Sequence, residues 1–319
     1  MATRNPTVPA AWNRNLSRAV KEQLLCEHKR PRVIAGPFFY ERDRMKEPAQ
    51  TGRKRPRIMG IVNVTPDSFS DGGKHFSAGG AIRHAHKLAA DGADILDIGG
   101  ESTRPGADAI SVDEECGRVI PVIEGCRDLG VDISIDSRKK DVMKAAVTAG
   151  ATIINDVSAL EYDPGSLDYV AVSGLPVCLM HSLADPKTMQ DNPVYDDVVA
   201  EVMAYLQSRV TLCEAAGIAR EKIIVDPGIG FGKTIDHNLA LIKALPTFRA
   251  LGCDVLLGAS RKAFIGRLTG EAEAENRVFG SVAVALYGAQ AGADILRVHD
   301  VLQTRQALQM WQAIDNASF

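Results

Sequence analysis

The chain has 319 residues, of which 45% are hydrophobic and only 5% aromatic, so it can form one large α/β domain or two smaller ones with an aliphatic core. No apolar run approaches the roughly 18 residues that cross a bilayer, and no secretory leader is evident, which predicts a cytoplasmic protein without a membrane partner. The six cysteines are scattered without a C-x-x-C pair, which argues against a zinc site and a disulfide framework.

The net charge of −3 conceals two regions of opposite sign. Residues 1–57 contain 14 Lys or Arg and 5 Asp or Glu, whereas the rest of the chain contains 23 and 35. We interpret residues 1–57 as a partly flexible basic extension, with a short hairpin segment at residues 32–40. Contact with phosphate or nucleic acid is an alternative to a solvated tail, but the absence of a nucleic-acid motif argues against a nucleic-acid partner.

From residue 58 onward, short apolar runs alternate with longer amphipathic segments, which favours repeated βα units. The predicted strands are 58–64, 93–99, 131–136, 152–155, 176–181, 222–226, 253–258 and 294–298. Segments 139–149, 196–216 and 277–291 have helical periodicity and end at glycines. Eight units in residues 58–319 predict a (β/α)8 TIM barrel, with a doubly wound sheet as the alternative.

Nearly every predicted strand is followed by a polar residue, and in a barrel these residues converge on one mouth. They are Asn63, Thr103, Asp136, Asn155, His181, Asp226, Ser260, Lys262, Arg297 and His299. Asp136, Asn155 and Asp226 offer acceptors for a flat heterocycle with adjacent N–H donors, to which Lys262 would donate. For any one of them, a strand-end cap or a paired buried charge is the alternative.

A second group is suited to anions. Arg297 and His299 lie two residues apart on the last strand, where barrels often hold phosphate. Asn63, with Asp71 in the first loop, could supply oxygen ligands to Mg²⁺ carried on a substrate's phosphates. The alternative for Arg297 is a surface salt bridge, since Asp300 follows closely.

The stretch 226–234 (DPGIGFGKT) is rich in glycine but is not a Walker motif, because Pro227 occupies the position of the first glycine. We interpret it as a strand-to-helix loop in which Phe231 forms an apolar wall. No nucleophile motif occurs, which predicts that a substrate supplies the nucleophile.

Together these motifs resemble the dihydropteroate synthases, in the family's order along the whole region after residue 57. The matching stretches are 59–73 (MGIVNVTPDSFSDGG), 97–106 (DIGGESTRPG), 134–137 (SIDS), 153–156 (IIND), 186–190 (PKTMQ), 226–233 (DPGIGFGK), 260–262 (SRK) and 297–300 (RVHD). The resemblance implies a homodimeric pterin-binding barrel that joins a dihydropterin pyrophosphate to p-aminobenzoate with the help of Mg²⁺ and is a target of sulfonamides.

The resemblance also implies roles for individual residues. Asp136, Asn155, Asp226 and Lys262 would hold the pterin, and Asn63, Arg297 and His299 the pyrophosphate and its metal. Thr103, Arg104, Pro105, Phe231 and Ser260 would form the p-aminobenzoate pocket, and Asp71 would approach the reacting carbon. The catalytic group is then Asp71, Lys262, Arg297 and His299.

Two features depart from the family's usual pattern: Ser137-Arg138 follows Asp136 where Thr-Ser is common, and the segment 181–185 lacks a glycine. A pterin-binding barrel of methyltransferase type and a non-catalytic pterin-binding protein are the alternatives. The motifs 260–262 and 297–299 argue against the first, and the intact first and second loops argue against the second.

Overall fold

The computed structural model describes residues 55–65, 78–102, 108–183 and 193–317, in which strands and helices alternate. The strands are β1 (Arg57–Asn63), β2 (Ile95–Gly99), β3 (Asp132–Asp136), β4 (Ile153–Asp156), β5 (Val177–Met180), β6 (Ile223–Asp226), β7 (Asp254–Leu257) and β8 (Ile295–Val298). The α-helices in this part of the chain are α1 (Ala78–Asp91), α2 (Val112–Cys126), α3 (Lys140–Ala149), α4 (Ser166–Ser173), α5 (Val198–Ala215), α6 (Ile235–Lys243), α7 (Leu245–Phe248), α8 (Ala263–Thr269), α9 (Val278–Ala291) and α10 (Val301–Asp315).

The eight strands form a closed parallel barrel in sequence order. Closure comes from β8, which pairs with β1 so that Ile295 lies opposite Arg57 and Val298 opposite Gly60. An open doubly wound sheet has two unpaired edge strands, so this pairing excludes that alternative and confirms the TIM barrel. The predicted hairpin segment and the rest of residues 1–54 lie outside the described residues.

Two hydrophobic clusters explain why the strands are continuous apolar runs. A large outer cluster fills the space between the strands and the surrounding helices. A small inner cluster fills the barrel and consists of Met59, Ile95, Ile153, Cys178, Ile224, Leu256 and Ile295. Because both faces of the strands are buried, few polar residues interrupt them before their carboxyl ends.

Local sequence signals set the helix ends. Asp197 precedes α5, and its carboxylate accepts the N–H groups of Val199 and Ala200 at 3.0 Å each. Gly292 follows α9 with a φ of 95°, a left-handed conformation that glycine adopts without strain. The three helices predicted at 139–149, 196–216 and 277–291 are confirmed as α3, α5 and α9.

Within the described ranges, no helix combines the length and the apolar character that a membrane span requires.

Candidate active site

A layer of polar side chains lies directly above the inner apolar cluster, towards the carboxyl ends of the strands. Side chains on a strand alternate between its two faces, so a residue two positions after an inward-facing residue also faces inward. Four strands follow this rule, with the pairs Ile95 and Asp97, Ile153 and Asn155, Ile224 and Asp226, and Ile295 and Arg297. The polar layer is therefore the next step of the same alternation that forms the barrel core.

Arg297 is the centre of this layer. Its Nε donates to Asp97 Oδ2 at 2.6 Å, and its Nη2 donates to Asp136 Oδ2 at 2.7 Å. Burial opposes the charge of the guanidinium, but the two carboxylates outweigh burial and raise the pKa of Arg297. Arg297 thus stays charged and ties β8 to β2 and β3 across the barrel mouth.

Asn155 joins the same network through Asp97. Its Nδ2 donates to Oδ1 and Oδ2 of Asp97 at 3.3 and 3.2 Å. Asp136 lies next to Asn155 in the strand register, and burial together with the nearby charge of Asp97 raises the pKa of Asp136 despite its contact with Arg297. The predicted acceptors Asp136 and Asn155 are therefore adjacent.

Asp226 and Lys262 form the opposite side of the mouth. Asp226 is buried, and its Oδ1 accepts the N–H of Gly228 at 2.7 Å. Burial raises the pKa of Asp226. The Nζ of Lys262 donates to the carbonyl of Ile229 and lies 4.5 Å from the ring centroid of Phe231. Burial lowers the pKa of Lys262 to about 8, although the charge of Asp226 opposes that shift.

The glycine-rich loop after β6 packs against its neighbours more closely than a side chain would permit. Gly228 has a φ of 69°, and a Cβ there would lie 1.9 Å from the carbonyl oxygen of His181. The same loop is held by Lys233, whose Nζ lies 3.0 Å from His181 Nδ1 and donates to the Phe231 carbonyl at 2.8 Å. Burial lowers the pKa of Lys233 to about 7. These contacts fix the position of Phe231 beside Lys262.

The segment after β8 contacts the segment after β7. The backbone N–H of His299 donates to Ser260 Oγ at 3.1 Å, and His299 Nδ1 lies 3.1 Å from the same oxygen. Asp300 pairs with Arg261 instead of Arg297. The surface salt bridge considered for Arg297 is therefore wrong, because its carboxylate partners are Asp97 and Asp136 inside the mouth.

Asn63 ends β1 at this mouth and is half-buried. Among the described residues, no group of three His, Cys, Asp or Glu side chains could hold a metal ion. A single amide oxygen fits Mg²⁺ that keeps several waters and is bound mainly through substrate phosphates. Asp71, Thr103, Arg104 and Pro105 lie outside the described residues.

Asp97 is the residue of the polar layer that the sequence interpretation missed. The sequence interpretation chose Thr103, beyond Gly99 and Gly100, as the polar residue of the second strand, although Asp97 lies within that strand. The signal that could have found Asp97 is the alternation itself, because it lies two positions after the inward-facing Ile95, as Asp226 lies after Ile224.

Arg138, one of the departures from the family pattern, contacts the start of the loop that follows β2. Its Nε donates to Glu101 Oε2 at 2.9 Å, and its guanidinium lies 3.9 Å from the ring centroid of Tyr162. The other oxygen of Glu101 accepts Lys139 Nζ at 2.9 Å and the N–H of Ile110 at 3.1 Å. Glu101 thus joins the two sides of this loop to the start of α3.

Comparisons with known proteins agree with this geometry. The family described as "Pterin binding enzyme" matches residues 59–299. The dihydropteroate synthase of Neisseria meningitidis serogroup B is 52% identical over 271 residues, which cover 83% of this chain and 95% of the relative. The solved structure of Xanthomonas albilineans dihydropteroate synthase with 4-aminobenzoic acid is 53% identical, has a TM-score of 0.79, and covers 83% of this chain and 95% of that one. Another structure of the Xanthomonas albilineans enzyme, in complex with 7,8-dihydropteroate, is 50% identical with a TM-score of 0.76 and the same two coverages.

Proposed function

The chain belongs to the pterin-binding enzyme family, among the dihydropteroate synthases, and we propose that its barrel mouth joins 7,8-dihydropterin-6-ylmethyl pyrophosphate to p-aminobenzoate. The products are 7,8-dihydropteroate and pyrophosphate, so the chain is a transferase. The observation that carries the proposed chemistry is the polar layer, in which acceptors for a guanidine-like edge, among them the buried Asn155 and Asp226, lie beside the half-buried Arg297 and Lys262.

The pterin would occupy the space between Asp136, Asn155, Asp226 and Lys262. Carboxylate and amide oxygens accept the N–H groups of the pterin's pyrimidine edge, and the ammonium of Lys262 donates to its carbonyl oxygen or ring nitrogen. The contacts of Asp226 with the Gly228 N–H and of Asn155 with Asp97 support this assignment, because they hold both side chains in one orientation before substrate arrives.

The pyrophosphate would lie at the Arg297 and His299 side of the mouth, with Asn63 as the protein ligand of Mg²⁺. Mg²⁺ bound there would neutralise the charge that develops on the departing pyrophosphate. Arg297 and His299 would donate to its oxygens. Arg297 lies on β8 and His299 directly follows that strand. The pairing of β8 with β1, which ends at Asn63, supports this assignment.

In the reaction, the bond between the pterin methylene carbon and the pyrophosphate oxygen breaks, and its electron pair leaves with pyrophosphate. The amine nitrogen of p-aminobenzoate forms the new bond to that carbon and releases one proton to solvent. A neutral arylamine needs no strong base for this attack. We assign the p-aminobenzoate pocket to Thr103, Arg104, Pro105, Phe231 and Ser260, and the stabilisation of the electron-poor carbon to Asp71.

A homodimer formed through the last three helices is part of the proposal. Large apolar side chains on α8, α9 and α10 support it, since Leu268 is 57% exposed, Phe279 89%, Met310 62% and Ile314 70%. Sedimentation velocity of the wild type and of Phe279→Glu tests it, because a single wild-type species of 34.3 kDa would refute the dimer.

A cytoplasmic location and competition by sulfonamides are the remaining parts of the proposal. The free cysteines of the described residues, such as Cys178 and Cys213, are mostly buried, which is compatible with a reducing compartment. A sulfonamide that raises the KM for p-aminobenzoate without changing kcat would support the shared pocket, and non-competitive inhibition would contradict it.

The decisive experiment measures pyrophosphate release by the purified chain with the pterin pyrophosphate, with and without p-aminobenzoate and Mg²⁺. We expect release that requires p-aminobenzoate and is stimulated by Mg²⁺, together with formation of dihydropteroate. No release, or release indifferent to p-aminobenzoate, would refute the synthase. Transfer of a methyl group from a methylated reduced pterin would favour the methyltransferase alternative, and pterin binding without turnover would favour the non-catalytic one.

A further inference from the structure

We propose that Arg261 is a positioning residue of this site: its ion pair with Asp300 fixes the turn that orients Ser260 and Lys262. The inference deepens the proposed function and rests on it, because that function assigns Ser260 and Lys262 to the two substrates. Arg261 lies between them in the chain, but its guanidinium is directed to Asp300 at the start of α10.

The backbone of Arg261 has an unusual conformation for its residue type. Its φ is 59°, in the left-handed region that residues with a Cβ rarely adopt. Such a conformation persists where the surroundings hold it in place, and it is often found at functional sites. Two hydrogen bonds hold it here: the N–H of Arg261 donates to Ser281 Oγ at 2.8 Å, and its carbonyl accepts Nη1 of Arg277 at 2.9 Å.

The side chain provides the third restraint. Nε and Nη2 of Arg261 donate to the two carboxylate oxygens of Asp300 at 3.0 and 2.6 Å, a bidentate pair. Asp300 occupies the N-cap position of α10, where an aspartate usually accepts an N–H of the first turn. Its carboxylate caps none of the N–H groups of α10, all of whose residues the structure describes. The carboxylate therefore binds Arg261 rather than capping α10.

The turn at Arg261 directs the two flanking side chains to opposite sides of β7. Ser260 contacts His299 after β8, whereas Lys262 contacts the carbonyl of Ile229 and the ring of Phe231 after β6. Because one turn sets both directions, loss of the Arg261–Asp300 pair would move Ser260 and Lys262 together. The expected signature is a joint loss of affinity for the pterin and for p-aminobenzoate.

The test uses Arg261→Ala, Arg261→Lys and Asp300→Asn, with Arg249→Ala as the matched control. Arg249 forms the corresponding ion pair with Asp294, at 3.0 Å, between the segments that precede β7 and β8 at the opposite end of the barrel. Titration calorimetry gives the Kd for the pterin, steady-state kinetics give kcat and the KM for p-aminobenzoate, and thermal unfolding gives Tm.

We expect Arg261→Ala to raise the pterin Kd and the KM for p-aminobenzoate about tenfold each. Arg261→Lys should restore part of both losses, because lysine keeps the charge but not the bidentate geometry. Asp300→Asn should resemble Arg261→Ala, and the Arg261→Ala/Asp300→Asn double variant should be no worse than either single variant. Arg249→Ala should match the wild type in all kinetic values.

A lower Tm with unchanged Kd and KM in the folded variants would overturn the inference, as would equal effects of Arg249→Ala. If Arg261→Ala does not fold, Asp300→Asn and Arg261→Lys provide the same comparison. An inactive wild type would refute the proposed function, whereas an active wild type with unaffected Arg261 variants would refute only the positioning role.

Discussion

Asp97 is predicted to be essential for the polar layer, and Asp97→Asn tests this with almost no change in size. Asp97 is 1% exposed and accepts from both Arg297 and Asn155. An asparagine amide placed there keeps one acceptor oxygen but turns an NH₂ group towards one of two donors. In the variant, either the guanidinium of Arg297 or the amide of Asn155 therefore faces the new NH₂ group instead of an acceptor.

Two magnitudes follow from these contacts. Removing one partner of a buried ion pair costs about 3–5 kcal/mol, and since Arg297 keeps Asp136, we expect the lower end, about 3 kcal/mol of unfolding free energy. Loss of the contact that orients Asn155 costs about 2 kcal/mol of pterin binding, which corresponds to a Kd raised roughly 30-fold.

Urea unfolding and titration calorimetry with the pterin pyrophosphate measure these two values. Asp132→Asn is the control, because Asp132 pairs with Arg57 in a half-exposed salt bridge of the same barrel, and such pairs contribute about 0–1 kcal/mol. If Asp97→Asn bound the pterin as tightly as the wild type while remaining folded, the network through Asn155 would have no role in recognition.

Three further predictions use the titrating and glycine positions of the mouth. Burial lowers the pKa of Lys262 to about 8, so its ammonium is present below that pH and pterin affinity should fall as pH rises through 8. In calorimetry, the pterin affinity of Lys262→Met should not change with pH in this range. Burial lowers the pKa of Lys233 from 10.5 to about 7, so the folded chain holds fewer protons than the unfolded chain between these values, and the free energy of unfolding should rise with pH across that window in urea titrations. Lys233→Met should show a smaller rise, confined to pH above about 8, where Lys262 still contributes, and a wild type and variant with parallel curves would contradict the assignment. Gly228→Ala should destabilise the chain by about 3 kcal/mol or more, because its Cβ would meet the His181 carbonyl. Gly130→Ala is the control: Gly130 has a similar φ of 71° and nothing within 4 Å of a Cβ, so this variant should cost about 1–2 kcal/mol. Equal losses of stability in the two variants would show that the close contact at Gly228 is relieved.

The barrel itself could be predicted because one property of the sequence governs it. Strands buried on both faces must be apolar along their length, so the eight runs stand out from the amphipathic helices between them. The runs 152–155 and 222–226 end where the strands leave the core, which identifies Asn155 and Asp226, whereas Arg297 is identified by its charge and by His299 two residues later. Asp97 was missed because Ile98 and Gly99 follow it, so it does not end its run.

The partners of the charged residues could not be predicted in this way. Arg297 lies three positions from Asp300 in the chain, yet it pairs with Asp97, which is 200 positions away. That choice depends on which strands become neighbours across the mouth, and no local pattern contains this information. The left-handed backbone of Arg261 is equally hidden, because it is held by Ser281 on α9 and by Arg277 just before that helix.

The position of the polar layer also explains how its charges can be tolerated. The inner apolar cluster below it excludes water, so an isolated charge at this depth would be strongly unfavourable. Asp97, Asp136 and Arg297 are stable there because they satisfy one another. A ligand with its own N–H edge can replace part of that pairing only by offering equivalent donors to Asp136. For the proposed pterin, the contacts that stabilise the mouth would therefore also contribute to specificity.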